Sequence, residues 1–457
     1  MLLKLCVAMS VPAVGSLLGS GGPGFFSKRP ASSTTPLGDQ SFPLGRIAFS
    51  LLPLAGVDRR ATTQQEIVRN QIWTLDQLQG VLAVNVPVRA TIIKLSPAAG
   101  GGLLIHNPVA PTDECVQLVR QLEETHGPVR HIVLGTLGLE HKAFVGPFSR
   151  KFPAATVWVQ PGQWSWPLPL PLPLLGFPSS RDRLRELPMP SECSSDELPP
   201  WYCDLEYKIL GPLCVSKLIG GFFGETAFFH TKTSTLLVTD AVIKVDDSPP
   251  QILEAEPGCL LYHARDDISE EIEDTPANRR RGWRRIVQFG LYFFPSSVDV
   301  RLSTIPGDLQ RQPDSMRKLA EAEEGALPFG VLPWAWGRDD RPSVKALQGG
   351  LLCAPILQAI ILNRFPEETS AWVDDVCKWR FRRVVPCHLA NDVMASPAQF
   401  KKAFAFLNED GSENGARGQP RLLPADFALL ARASDILTRL KVLDPPAAGQ
   451  LASRDTM

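Results

Sequence analysis

Ile132-Val133-Leu134-Gly135-Thr136-Leu137-Gly138-Leu139-Glu140-His141-Lys142 passes from three apolar residues into a glycine-punctuated polar segment. The pattern predicts a buried strand that delivers a polar loop. Strand ends opening into loops are where a fixed scaffold presents reactive side chains, so the adjacent carboxylate and imidazole of Glu140 and His141 form a candidate site. A second reading stands beside it: a Glu-His pair that opens the next helix balances the helix dipole and sits in water.

On the N-terminal side, the apolar runs Val81-Leu82-Ala83-Val84, Ala90 to Leu95 and Leu103-Leu104-Ile105 are separated by Gly and Pro, which predicts a β-meander. Val116, Leu118, Val119 and Leu122 have helical spacing within Pro111 to Leu122, and Thr112 is placed to cap that helix. On the C-terminal side, a helix over Lys142 to Phe152 and a strand over Ala155 to Val159 are expected. Strand, helix and strand in that order argue for an α/β layered sheet.

Further along, the alternating Pro-Leu run from Trp166 to Leu174 cannot sustain a ladder of hydrogen bonds. It reads as an extended connector whose leucines pack on the body, or as a partner ligand. Glu225 to His230, a turn at Thr231 to Ser234, and Thr235 to Asp240 make a hairpin, with Asp240 closing a buried strand and His230 expected in solvent. Arg279-Arg280-Arg281-Gly282-Trp283-Arg284-Arg285 is read as a solvated helix face, the alternative being a grip on a phosphate or an acidic partner. Helices are expected over Pro355 to Asn363, Thr369 to Trp379, Pro397 to Leu407 and Pro424 to Leu443, with a polar loop over Asn408 to Pro420. Phe381 to Pro386 reads as a strand presenting Cys387-His388.

The chain has 457 residues, 44% of them hydrophobic, enough for one large domain or two ordinary ones with a sizeable core. A formal net charge of -1 supplies no global attraction for nucleic acid, so no nucleic-acid partner is expected. Nine cysteines without a C-x-x-C pair argue against a disulfide framework and a zinc ribbon. The 42 prolines and 35 glycines call for many turns and loops and argue against a simple helical bundle. Before Asp39 there is no acidic residue, while Lys4, Lys28 and Arg29 are basic. That composition suits a cleaved targeting segment over 1–45, followed by one domain over 46–446 and a disordered tail over 447–457. Leu2 to Leu18 is apolar but interrupted, and no later run reaches the about 18 residues of a membrane span, so no transmembrane segment is expected in the mature protein.

Three strand ends thus carry ligand-type residues: Glu140-His141, Asp240 and His388. Two carboxylates and two imidazoles form a set that a divalent zinc or iron ion accepts. Here the sequence resembles the metallo-β-lactamase superfamily, an αββα sandwich whose H-x-H-x-D-H signature follows a buried strand. In this chain the signature reads Thr136-Leu137-Gly138-Leu139-Glu140-His141. Thr136 and Gly138 stand at the first two histidines, Glu140 replaces the aspartate, and His141 keeps the last imidazole. By the same resemblance Asp240 matches the bridging aspartate and His388 the C-terminal histidine.

A closer resemblance is to a plastid and cyanobacterial family known as domain of unknown function 4336. It rests on Asn85-Val86-Pro87-Val88-Arg89, Leu139 to Lys142, Pro161-Gly162-Gln163-Trp164, Leu237 to Asp240, Ala354 to Gln358 and Pro386-Cys387-His388. The resemblance implies an αββα sandwich in a chloroplast protein. With no histidine between Leu210 and Phe229, the superfamily's first metal site has lost all three imidazoles. The expectation is therefore at most one divalent ion, zinc or iron, at Glu140, His141, Asp240 and His388. Two functions remain open: a mononuclear metal-dependent hydrolase, and a non-catalytic lactamase-fold module that binds a small molecule or a protein.

Overall fold

The first sheet holds β1 (Thr63–Val68), β2 (Ile72–Val81), β3 (Val84–Lys94), β4 (Leu103–His106), β5 (Val129–Leu134), β6 (Thr156–Val159) and β7 (Leu184–Glu186), side by side in that order. Strands β1 to β4 pair antiparallel, whereas β4 to β7 run parallel. Parallel neighbours need a crossover, and the first two are helices α1 (Asp113–His126) and α2 (Leu139–Lys151). Strands covered on both faces must be apolar throughout, which is why Leu103-Leu104-Ile105 and Ile132-Val133-Leu134 are unbroken runs, fully buried here. Thr112 caps α1 as expected, its hydroxyl accepting from the Cys115 N–H at 3.3 Å.

The second sheet is built from β8 (Leu205–Ser216), β9 (Gly221–His230) and β10 (Thr235–Val238), joined after a long excursion by two further strands. A two-stranded ribbon of β11 (Val298–Val300) and β12 (Trp334–Trp336) lies within that excursion. Strand β13 (Arg383–Pro386) then lies parallel to β10, and β14 (Val393–Met394) closes the edge. The computed structural model describes residues 61–81, 84–165, 170–216, 221–292, 295–301, 311, 313–314, 332, 334–337, 339–407 and 422–445.

Three apolar layers show how the sheets stack. Between them, Ile93, Leu104, Val133 and Trp158 of the first meet Tyr207, Phe228, Leu237 and Val385 of the second. On the outer face of the first sheet, Ile105, Ile132 and Leu134 pack with Val119 of α1 and Phe144 and Phe148 of α2. On the outer face of the second, Leu236, Val238 and Val384 share a core with residues of four helices, α3 (Pro276–Tyr292), α4 (Pro355–Ile360), α5 (Pro366–Val376) and α6 (Pro424–Arg439). Helix, sheet, sheet, helix is the expected metallo-β-lactamase-like αββα sandwich. Each Leu, Val or Phe buried in these layers contributes about 1.5–3 kcal/mol, so three layers rather than any local propensity hold the strands in place.

Several expectations are corrected. Val81 and Val84 are not a strand of their own: Val81 is the last residue of β2, Val84 the first of β3, and the two are paired. Glu140 and His141 do not lie in a loop, because α2 begins at Leu139 and takes both into its first turn. His230 is not in solvent. Strand β8 pairs with the other edge of the hairpin and places Leu205 opposite His230, leaving that imidazole 1% exposed and facing Thr233 Oγ1 at 2.7 Å. Within the Pro-Leu run, Leu172–Leu175 forms a single 3-10 turn, with Leu175 buried, while residues 166–169 lie outside the described residues. The arginine run grips acidic groups of its own chain: Arg279 bonds Asp274 and Glu254, Arg281 and Arg285 bond Asp266, and Trp283 is buried. The expected loop over Asn408 to Pro420 and the segments 1–45 and 447–457 also fall outside the described residues. Among the described residues, no helix is long and apolar enough to cross a membrane.

Candidate functional site

The carboxyl ends of β4, β5, β10 and β13 open on the same side of the sandwich. After β5 the chain makes one antiparallel bridge, Thr136 to Glu225. The Thr136 hydroxyl donates to Gly224 O at 3.1 Å and accepts from the Gly138 N–H at 3.0 Å. That closure aims the chain into α2, whose first turn carries His141, 2% exposed. In the second sheet Val238 and Pro386 are paired across parallel strands, so Asp240 and His388, each two residues farther on, leave the edge together.

The three side chains converge although long stretches of sequence separate them. One ligand atom from each of His141, Asp240 and His388 lies within 4.8 Å of the others. His388 Nε2 stands 3.1 Å from Asp240 Oδ1 and 3.3 Å from His141 Nε2. Across the ring, His388 Nδ1–H donates to Pro87 O at 2.9 Å. That bond fixes the ring's orientation and leaves Nε2 facing the group. Pro87 belongs to the stretch Asn85 to Arg89 that carried the family resemblance, and its neighbour Val88 forms a bridge with His388.

Charge is distributed unequally over the three. Burial opposes a charged imidazole at His388, but the hydrogen bond and negative charge of Asp240, with the Pro87 carbonyl behind the ring, raise its pKa above the usual value. Burial likewise works against ionised Asp240, and the hydrogen bond and charge of His388 overcome it, holding the carboxyl below its usual range. For His141 burial dominates, aided by the charge of His388, and the pKa falls to about 4. The charged form is thus favoured at Asp240 and His388 and disfavoured at His141.

Glu140 lies outside this trio. A β-carbon built on Gly138 would stand 3.0 Å from Glu140 Oε1, so the carboxylate folds back over the start of the helix. Its Oε2 is buried without a hydrogen-bond partner. The space of a side chain at 138 is therefore held by Glu140, and Thr136 is engaged in closing the loop.

Sequence reasoning did not single out the residues behind the trio. Glu225 is fully buried and accepts from the N–H groups of Thr239 at 2.6 Å and Asp240 at 3.0 Å. Burial first, and the charge of Asp240 second, push its pKa well up against those donors. Arg89 is fully buried, forms a two-pronged bond to Asp76 at 2.6 and 2.8 Å, and donates to Leu389 O at 2.9 Å and Ala390 O at 3.2 Å. It clamps the loop that carries His388. A lone Glu in a strand or Arg in a meander carries no spacing signal, and only the appearance of Arg89 in the family stretch pointed to it. A cavity of about 200 Å³ lies on the far side of this clamp, lined by Asp76, Arg89, Trp283, Leu389 and Asn391 among others, and none of the trio lines it.

Over residues 69–406 the sequence matches the family described as domain of unknown function (DUF4336). No curated protein matches the chain. Among solved structures it is similar to the metal-soaked Flv1 flavodiiron core from Synechocystis, with 9% identity and a TM-score of 0.37, covering 76% of this chain and 61% of that one. A flavoprotein from Thermotoga maritima gives 8% identity and a TM-score of 0.36 over 78% of this chain and 63% of that one. A metallo-β-lactamase from Pontibacter korlensis gives 8% identity and a TM-score of 0.26 over 50% of this chain and 84% of its own. The chain thus spans less than two thirds of the flavodiiron proteins' length, and none of these likenesses bears on what it binds or does.

Proposed function

The chain belongs to the family described as domain of unknown function (DUF4336), and from that premise we propose a mononuclear metal-dependent hydrolase that holds one divalent ion, zinc or iron, between His141, Asp240 and His388. The observation that carries the proposal is the convergence of two imidazole nitrogens and a carboxylate oxygen within 4.8 Å. Two nitrogens and one oxygen suit either metal. The unpartnered, buried Glu140 Oε2 supports a cation nearby, since such an oxygen is costly unless a positive charge offsets it. Glu140, next to His141 on α2, would join the set only by turning its carboxylate away from Gly138. Three protein ligands would leave a position open for substrate.

When bound, the ion supplies Lewis-acid polarisation of a substrate oxygen and activates water. The chain's own part is to hold the donors. Pro87 O fixes the His388 ring, Glu225 fixes the backbone of Asp240, and the first turn of α2 fixes His141. With a single ion there is no second charge to share the load, so a protein donor must stabilise the developing negative charge.

A second reading is favoured by two observations: His388 Nε2 lies within hydrogen-bond reach of both Asp240 Oδ1 and His141 Nε2, so the trio has partners of its own, and the 200 Å³ cavity lies elsewhere. On that reading the fold is a binding or assembly module without catalysis. Assaying the metal-loaded protein against ester, lactam and phosphodiester substrates separates the two. Hydrolysis lost in Asp240→Ala supports the first reading. The same trace activity in wild type and variant overturns it. Delivery to the chloroplast is also proposed, supported by the absence of acidic residues before Asp39. N-terminal sequencing of native protein is expected to find a start between about Gly19 and Arg46, and an intact Met1 would overturn it.

A further inference from the structure

Asn107 follows the last residue of β4 and is fully buried. Its Oδ1 accepts from the Gly135 N–H at 2.9 Å, at the root of the segment that leads to His141. Its Nδ2 donates to Thr239 Oγ1 at 2.8 Å, one residue before Asp240, and to Cys387 Sγ at 3.3 Å, one residue before His388. A single amide therefore touches all three chain segments that supply the trio. Its orientation is unambiguous, because a flipped amide would set NH2 against the Gly135 N–H. The backbone asks for the same residue: φ at Asn107 is 49°, in the left-handed region that Asn tolerates and most residues avoid.

We propose that Asn107 is the positioning residue of the trio, setting the separation of His141, Asp240 and His388 by tying their three strand ends to β4. Hydrophobic packing places strand ends only to within the looseness of side-chain contacts, whereas a metal site needs its donors within about 0.2 Å. One short, fully satisfied amide supplies that tolerance. The divalent-ion part of this inference rests on the metal-centre reading above, and the geometric part does not.

The test uses full-length protein, Co2+ alone as the probe, and the imidazole nitrogen NMR signals of His141 and His388 in metal-free protein. Asn107→Gly keeps the left-handed backbone and removes all three ties. It is expected to weaken Co2+ binding by about 10- to 100-fold, to alter the visible absorption of bound Co2+, and to shift the imidazole signals as the contacts to Asp240 and Pro87 loosen. Thr239→Val and Cys387→Ala each cut one tie with little change of shape, give smaller shifts in the same direction, and decide the matter if Asn107→Gly does not fold. Asn363→Ala, which removes a buried amide bonded to Ala359 O, lowers stability but leaves both signals in place. If wild type takes up no Co2+, the metal-centre reading fails while the imidazole signals still test Asn107. Unchanged Co2+ binding and unchanged imidazole signals in the folded variants overturn the proposal.

Discussion

Glu140 and Gly138 show at atomic scale how the segment departs from a two-ion site: a β-carbon at 138 would meet the Glu140 carboxylate at 3.0 Å. Thr136 and Gly138 are then bystanders to any ion, and their variants should behave as structural ones. Thr136→Val leaves Gly224 O and the Gly138 N–H without the hydroxyl they share, at a cost of about 1–3 kcal/mol. Urea unfolding should register that loss while metal content per chain stays unchanged. Proton linkage gives a second prediction at this scale. An ion must displace the proton that Asp240 helps keep on His388, whose pKa is raised, so affinity should climb with pH through that raised value, by about tenfold per unit, and level off above it. Competition titrations across that range check the sign, and a pH-independent affinity would show that His388 is not a ligand. At this scale His141, Asp240 and His388 were legible because each follows an apolar run ending in a polar residue. Asn107 and Glu225 were not, because a buried amide or carboxylate acts through contacts 28 or more residues away for Asn107 and 14 or 15 away for Glu225.

Strand β3 shows what the elements contribute, since Arg89 near its middle reaches the loop after β13 through carbonyls 300 and 301 residues away. The Arg89 and Asp76 side chains are 0% and 9% exposed. Removing one partner leaves a buried charge alone, so Arg89→Ala should cost about 3–5 kcal/mol in denaturant unfolding. It should also release the His388 loop and weaken ion binding. Asp76→Asn with Arg89 intact should cost less, because the carbonyls still receive the guanidinium. The apolar runs of β5, β9 and β10 and the helical spacing of α1 made those elements legible. Strand β8 was not, because Gly211-Pro212 interrupts its apolar pattern and the pairing shifts register between Leu210 and Leu213. The start of α2 was read three residues late, since Leu139-Glu140-His141 has no capping side chain before it, only Gly138.

Over the whole molecule, the sandwich buries histidines that must stay neutral. Burial lowers His106 to about 3 and His131, His141 and His230 to about 4. Between about pH 6.5 and those values the unfolded chain binds protons that the folded one refuses, so stability should fall as pH falls through that window. His388 works the other way: its raised pKa gives a contribution complete below about 6.5 and lost as pH rises through the folded value. His126 is lowered as well, chiefly by burial, while Glu225, pushed well up by burial and by Asp240, works in the same direction as His388. With five groups opposing two, the metal-free protein should unfold more readily at pH 5 than at pH 7, and thermal unfolding at both checks it. The layered architecture was legible from the order of elements, but the meeting of residues 141, 240 and 388 at one edge depends on β10 pairing with β13 between residues 148 apart, Thr235 with Arg383 through Val238 with Pro386, which no local pattern encodes. The most direct test is elemental analysis of full-length protein purified without chelator, alongside His388→Ala and Asp240→Ala. The account predicts one tightly held divalent ion per chain in wild type and none in either variant. Two ions per chain, or one retained in both variants, would contradict it.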